Sequence, residues 1–122
     1  MNTTHETPWD EALHWINQHP TTGTAIGLAK LVLSFYNGRD YPFSFADCTR
    51  SFDSERSALA QRMTSWYFER GEDESLREVG KEIWDRSPRL VQLGKAASGA
   101  MADLSIQWRE EGNAKLELEE DL

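Results

Sequence analysis

The feature that most constrains this chain is its helix punctuation: Thr7-Pro8, His19-Pro20, Asn37-Gly38, Asp53, Gly71, Asp73, Ser87-Pro88 and Gly112 divide it into segments of helical length. A threonine, serine or aspartate side chain accepts from an orphan amide at a helix start. Proline at the first helical position gives up an N–H that has no partner there, and glycine tolerates the left-handed backbone beyond a helix end. Between these junctions the apolar residues recur every three or four positions rather than every two. The pattern predicts an all-α fold, a compact bundle of about five main helices with a short connector near residues 41–52.

Trp9, Ala12, Leu13 and Ile16 form one stripe of the first helix, with Trp15 off it. In the second, apolar residues from Ala25 to Tyr36 cover nearly the whole circumference, the mark of a central buried helix. Asn37-Gly38 is expected to end that helix, with glycine in the left-handed conformation. Residues 41–52 alternate aromatic and polar too briefly for a strand and read as an ordered connector, with room for a helical turn from Ser44 and with aromatics plugging the core. The third helix, capped by Asp53 and closed at Gly71, carries Leu59, Met63, Trp66 and Tyr67 on one side and Phe68 on the other. The fourth, from Asp73, aligns Leu76, Val79, Gly80, Ile83 and Trp84.

The fifth helix is the longest. Leu90, Leu93, Gly94, Ala97, Met101, Leu104 and Trp108 keep one face over about five turns. That face predicts a long backing element, with Gly94 and Ala97 letting a neighbouring helix approach. Val91, Ala102 and Ile106 make a weaker second face, suited to a symmetric pairing with another copy. Residues 1–112 read as one helical domain and residues 113–122 as an acidic tail.

Net charge is -8, with the last ten residues holding Lys115 against Glu117, Glu119, Glu120 and Asp121. Such a balance repels phosphate backbones, so direct nucleic-acid binding is not expected. The single cysteine, Cys48, cannot form an internal disulfide, and no basic region followed by an apolar run opens the chain, so the expected compartment is the cytoplasm. No apolar run approaches the roughly 18–20 residues that span a bilayer, and no membrane association is expected.

Motifs for chemistry are sparse. Glu11 and His14 have the spacing used in carboxylate-bridged metal bundles, but those need a second copy and further carboxylates; the plainer reading is a helix surface. Cys48 has Asp47 beside it and no histidine near in sequence, and reads as a small buried hydrophobe rather than a nucleophile. The acids around the fourth helix alternate with Arg70, Arg77, Lys81 and Arg86, giving a solvated face with ordinary pairs of Glu78 with Lys81 and Glu82 with Arg86. No glycine-rich phosphate loop occurs, and no cofactor or metal is expected.

Thr22-Gly23, Ala29, Leu31, Leu33, Tyr36-Asn37, Phe43, Phe45, Asp47, Asp53 and Met63 resemble a pattern in short bacterial helical proteins catalogued only as a domain of unknown function. The resemblance covers roughly residues 20–70, and this chain lacks the tryptophan such proteins carry near the position of Cys48. It implies a small helical protein of bacterial origin and implies no activity.

The function expected from these residues is protein binding without catalysis, with Trp15, Phe68 and Ile106, the large apolar residues off the core stripes, as candidate partner contacts. Two other readings stay open. One is an acidic inhibitor that mimics nucleic acid, which the charge permits; the other is an enzyme whose site is assembled from distant residues, such as Cys48 with His14 or Glu11.

Overall fold

Five of the six helix starts are closed by the side chain of the residue just before them. The computed structural model describes residues 7–112, which form α1 (Pro8–Gln18), α2 (Gly23–Tyr36), α3 (Phe45–Cys48), α4 (Ser54–Arg70), α5 (Glu74–Arg86) and α6 (Pro88–Glu110), with no strand among the described residues. Thr7, Thr22, Ser44, Asp53 and Asp73 each accept from the amide three positions on, at 2.8–3.2 Å. Each bond satisfies one amide that the helix itself leaves orphaned. Ser87 is shared: it ends α5 and begins α6, and its side chain makes no capping bond. Gly71 closes α4 at φ 63° and ψ -146°, a region that essentially only glycine enters.

α2 is the centre, as its all-round apolar sequence predicts. Leu28, Leu31, Val32 and Leu33 are fully buried, and α2 packs against α1, α3 and α5. Trp9 of α1, Leu59 and Met63 of α4, and Leu76, Val79 and Ile83 of α5 complete the core. Phe35 bridges two of these neighbours, its ring 5.4 Å from that of Trp9 and 5.1 Å from that of Tyr67. Aromatic pairs at this spacing add about 0.5–1.5 kcal/mol each beyond the area they bury.

Two glycines set how closely α2 is approached. A Cβ on Gly27 would lie 2.1 Å from the Cys48 carbonyl oxygen, so α3 sits directly on the α2 backbone. A Cβ on Gly80 would lie 2.5 Å from the Tyr36 ring, so α5 closes on the end of α2 through that aromatic.

The structure corrects several expectations. α2 ends through Asn37, whose amide oxygen accepts from the Asp40 amide at 3.1 Å while its Nδ2 donates to the Asp40 carboxylate at 3.0 Å. Gly38 is not left-handed, because that side-chain pair already satisfies the turn. In the connector Tyr41 is buried and Phe43 and Phe52 pack on the core, but Phe45 is exposed. The fourth sequence helix, α5, pairs Arg86 with Glu82 at 3.0 Å as expected, whereas Lys81 lies 4.0 Å from Asp85 rather than on Glu78. The acidic tail expected for residues 113–122 lies outside the described residues.

The largest correction concerns α6, which is not a backing element along its length. At 23 residues it is about 35 Å long, and only its first half lies on the body. Gly94 admits the Tyr41 ring and the Asp40 carbonyl of the connector rather than another helix. Beyond Ser98 the apolar face of α6 continues, and each of its residues there is exposed.

Candidate interaction surface

The docked half of α6 is held by few contacts. Leu90 and Val91 pack on the core, Gly94 lies under Tyr41, and Ser98 Oγ donates to the Arg39 carbonyl at 2.9 Å. Every residue from Gly99 to Gly112 is exposed. The projecting helix, residues 99–110, is about 18 Å long.

On that projection Met101, Leu104 and Trp108 are 59, 44 and 44% exposed. At 100° per residue they fall in one stripe about 60° wide, continuous with the Leu90, Gly94 and Ala97 face that meets the body. Single exposed apolar residues are ordinary, whereas an aligned set of them marks a binding surface. Between Leu90 and Trp108 the only charged residues are Lys95 and Asp103, in a chain that is 28% charged.

The residues singled out from sequence are placed differently. Trp15 is half-buried on α1, packed on the core, its ring 4.2 Å from that of His19 and 5.2 Å from the Arg56 guanidinium. Phe68 stands 82% exposed on α4. Ile106 is exposed on α6 beyond the docked half, on the side of the helix opposite Met101, Leu104 and Trp108. The three therefore lie on three different helices, α1, α4 and α6. The aligned residues were read as core from their spacing; the signal that distinguishes them is the length of the uncharged stripe, which exceeds what a body of 11- to 17-residue helices can cover.

The candidates for chemistry are engaged structurally. Cys48 is buried, and desolvation pushes its thiol up to about 11, with the Lys30 charge opposing. Burial therefore favours the protonated thiol over the nucleophilic thiolate. Glu11 accepts both guanidinium nitrogens of Arg62, at 2.6 and 3.2 Å, and this bond holds the Arg62 pKa above its ordinary value. An open groove of about 530 Å³ between α1 and α4 includes that pair with Gln61, Ser65 and Trp66 on its walls. Asp73 caps α5 and accepts from the Trp66 indole at 2.8 Å. No cluster of three or more His, Cys, Asp or Glu able to hold a metal occurs among the described residues, and none of their helices is long and apolar enough to cross a membrane. His5 lies outside the described residues.

Neither family models, nor curated proteins, nor solved structures yield a match to this chain.

Proposed function

We propose that this protein is a non-enzymatic binding module of a bacterial cytoplasm, and that a protein partner docks on the distal half of α6. The observation that carries this reading is the aligned, exposed Met101, Leu104 and Trp108 on a helix that projects beyond the body. Burying such a stripe is favourable at about 25 cal/mol per Å², and tryptophan is among the residues that most often anchor an interface. The buried thiol of Cys48 and the Arg62 clamp on Glu11 give these groups structural roles, which supports binding over catalysis.

A photo-cross-linking amino acid at position 104, in the full chain in its host cells, tests the proposal. The expected result is a discrete protein adduct from position 104 and none from Glu78 on the exposed side of α5. No adduct from position 104, or equal labelling from both positions, overturns it.

A further inference from the structure

We infer that the groove at the C-terminal ends of α2 and α4 binds a neutral, hydroxyl-rich ligand of the saccharide class, held by Tyr36, Tyr67, Arg39 and Glu72. No residue of α6 lines this groove, so the inference stands apart from the docking face proposed above.

Two helix ends make the groove. α2 stops at Tyr36 and α4 at Arg70, and the turns that follow bring Arg39 and Glu72 to one opening with Phe35, Asn37 and the two tyrosines. The space is about 510 Å³, within the roughly 300–1,000 Å³ of small-molecule sites. Its walls carry a guanidinium, a carboxylate, an amide and two phenols.

The root of each of these residues is fixed by a contact of its own. Gly80 lets the α5 backbone close on Tyr36, where a Cβ would lie 2.5 Å from the ring. The Tyr67 ring lies 5.1 Å from that of Phe35. The Arg39 carbonyl accepts from Ser98 Oγ, and the Glu72 carbonyl from Arg77 Nη1, both at 2.9 Å. Asn37 is bonded twice to Asp40.

The functional ends are not engaged. No described residue gives the Tyr36 or Tyr67 hydroxyl a hydrogen bond, or the Arg39 guanidinium or Glu72 carboxylate an ion pair. Both hydroxyls reach solvent, since Trp9 Nε1 is the one fully enclosed side-chain polar atom without a partner among the described residues. A half-buried tyrosine ordinarily finds a partner for its hydroxyl within the protein. Two that find none in the same groove, beside an unpaired base and an unpaired acid, point to a partner from outside.

The four ends select the ligand. The guanidinium only donates, the carboxylate only accepts, and each phenol does both. A hydroxyl-rich ring answers all of them, because each of its hydroxyls donates and accepts, and adjacent hydroxyls suit the fork of a guanidinium or the two oxygens of a carboxylate. The Phe35 and Tyr67 rings supply apolar surface for the C–H face of such a ring.

Charge removes the competitors. An anion would meet Glu72 and a chain of net charge -8, and a cation would meet Arg39. A small zwitterion such as glycine would answer Arg39 and Glu72 and leave both phenols to water. An apolar ligand would strip water from all four groups and replace none of it. Because the roots are already placed, little order is lost on binding; because the groove is open and water competes for every bond, affinity is weak, on the order of millimolar.

Titration of the isotope-labelled full chain with glucose, galactose, mannose, N-acetylglucosamine and maltose, each up to about 100 mM, tests the inference by NMR. The expected result is saturable shifts at residues 36–39, 67 and 72 with at least one of these sugars, and none there with glycine or inorganic phosphate. Tyr67→Phe and Arg39→Gln each remove one unengaged end and weaken binding of that sugar roughly threefold or more. Gln61→Ala, in the groove between α1 and α4, leaves it unchanged. Neither the Tyr67 hydroxyl nor the Arg39 guanidinium is bonded to a described residue, so thermal midpoints equal to that of the parent chain serve as the folding control.

No saturable shift with any of these sugars overturns the inference. Saturation at these residues by glycine or phosphate overturns the ligand class. Sugar-induced shifts that keep full affinity in Y67F and R39Q place the sugar elsewhere and overturn the site.

Discussion

The two halves of α6 carry one sequence pattern and meet opposite fates. From Pro88 to Ser98 the helix lies on the body, with Gly94 buried under Tyr41 and Ser98 bonded to the Arg39 carbonyl. From Gly99 to Glu110 the same repeat continues, and every residue is exposed. Periodicity identifies which face of a helix is apolar; it does not say how far along that face the rest of the protein reaches. Where an apolar face outlasts its own fold, it is available to another chain.

The sharpest way to break this contrast is the same substitution in both regions. Leu28→Ala empties a fully buried site in α2 and is expected to destabilise the protein by about 2–5 kcal/mol, a large share of a typical folding free energy. Leu104→Ala is expected to change monomer stability by less than about 0.5 kcal/mol. Urea unfolding at concentrations that keep the protein monomeric measures both. Comparable losses would mean that Leu104 is packed in the monomer and that the projection is part of the body.

Glycine substitutions should split in sign. Gly27→Ala drives a methyl to 2.1 Å from the Cys48 carbonyl, where only backbone movement relieves the overlap, and should destabilise by about 1–3 kcal/mol. Gly99→Ala meets nothing within 4 Å and should strengthen the projecting helix by about 0.5–1 kcal/mol, read as slower amide exchange of residues 99–110. Faster exchange in G99A would show that Gly99 needs its missing side chain.

Alkaline pH should act on the body. Burial raises the Cys48 thiol from 9.0 to about 11 in the folded protein and raises the Tyr41 phenol above 10.0, the latter partly opposed by a hydrogen bond with Trp84. Both groups hold their protons more tightly folded than unfolded, so their contribution is complete below about pH 9 and is lost as pH rises towards 11. The urea midpoint should fall across that window, and Cys48→Ala should make the fall shallower. An unchanged slope in C48A would refute the burial account of this thiol.

A small effect is also expected at the Glu11–Arg62 pair, which joins α1 to α4 on a half-exposed flank. Water and salt screen such pairs, and Arg62→Met should cost at most about 1 kcal/mol, diminishing further at high salt. A loss of several kcal/mol would mark the pair, and the groove beside it, as more than surface.

Much of the fold was legible before any coordinates. The caps at Thr7, Asp53 and Asp73 and the closures at Gly71 and Gly112 were readable because a capping bond spans three residues and a left-handed glycine satisfies only its own helix end. α2 was recognisable as the central helix because its apolar residues cover nearly the whole circumference. Gly38 misled because the side-chain bonds between Asn37 and Asp40 perform the task that a left-handed glycine performs elsewhere. Phe45 misled because an aromatic residue in a connector carries no periodicity to say which way it faces. The candidate surface was the least legible part, since Met101, Leu104 and Trp108 differ from core residues only in what lies beside them.

The sequence by itself determined that the chain is helical, where five of its six helices begin, and which stripe of each is apolar, because capping bonds and helical periodicity act within about four residues. Only the tertiary structure decided that Gly27 would lie against Cys48, that Arg62 would reach Glu11, and that α6 would leave the body after Ser98. Those outcomes depend on how helices of unequal length cross one another, and crossings are set by packing between residues far apart in the chain, which no local pattern encodes.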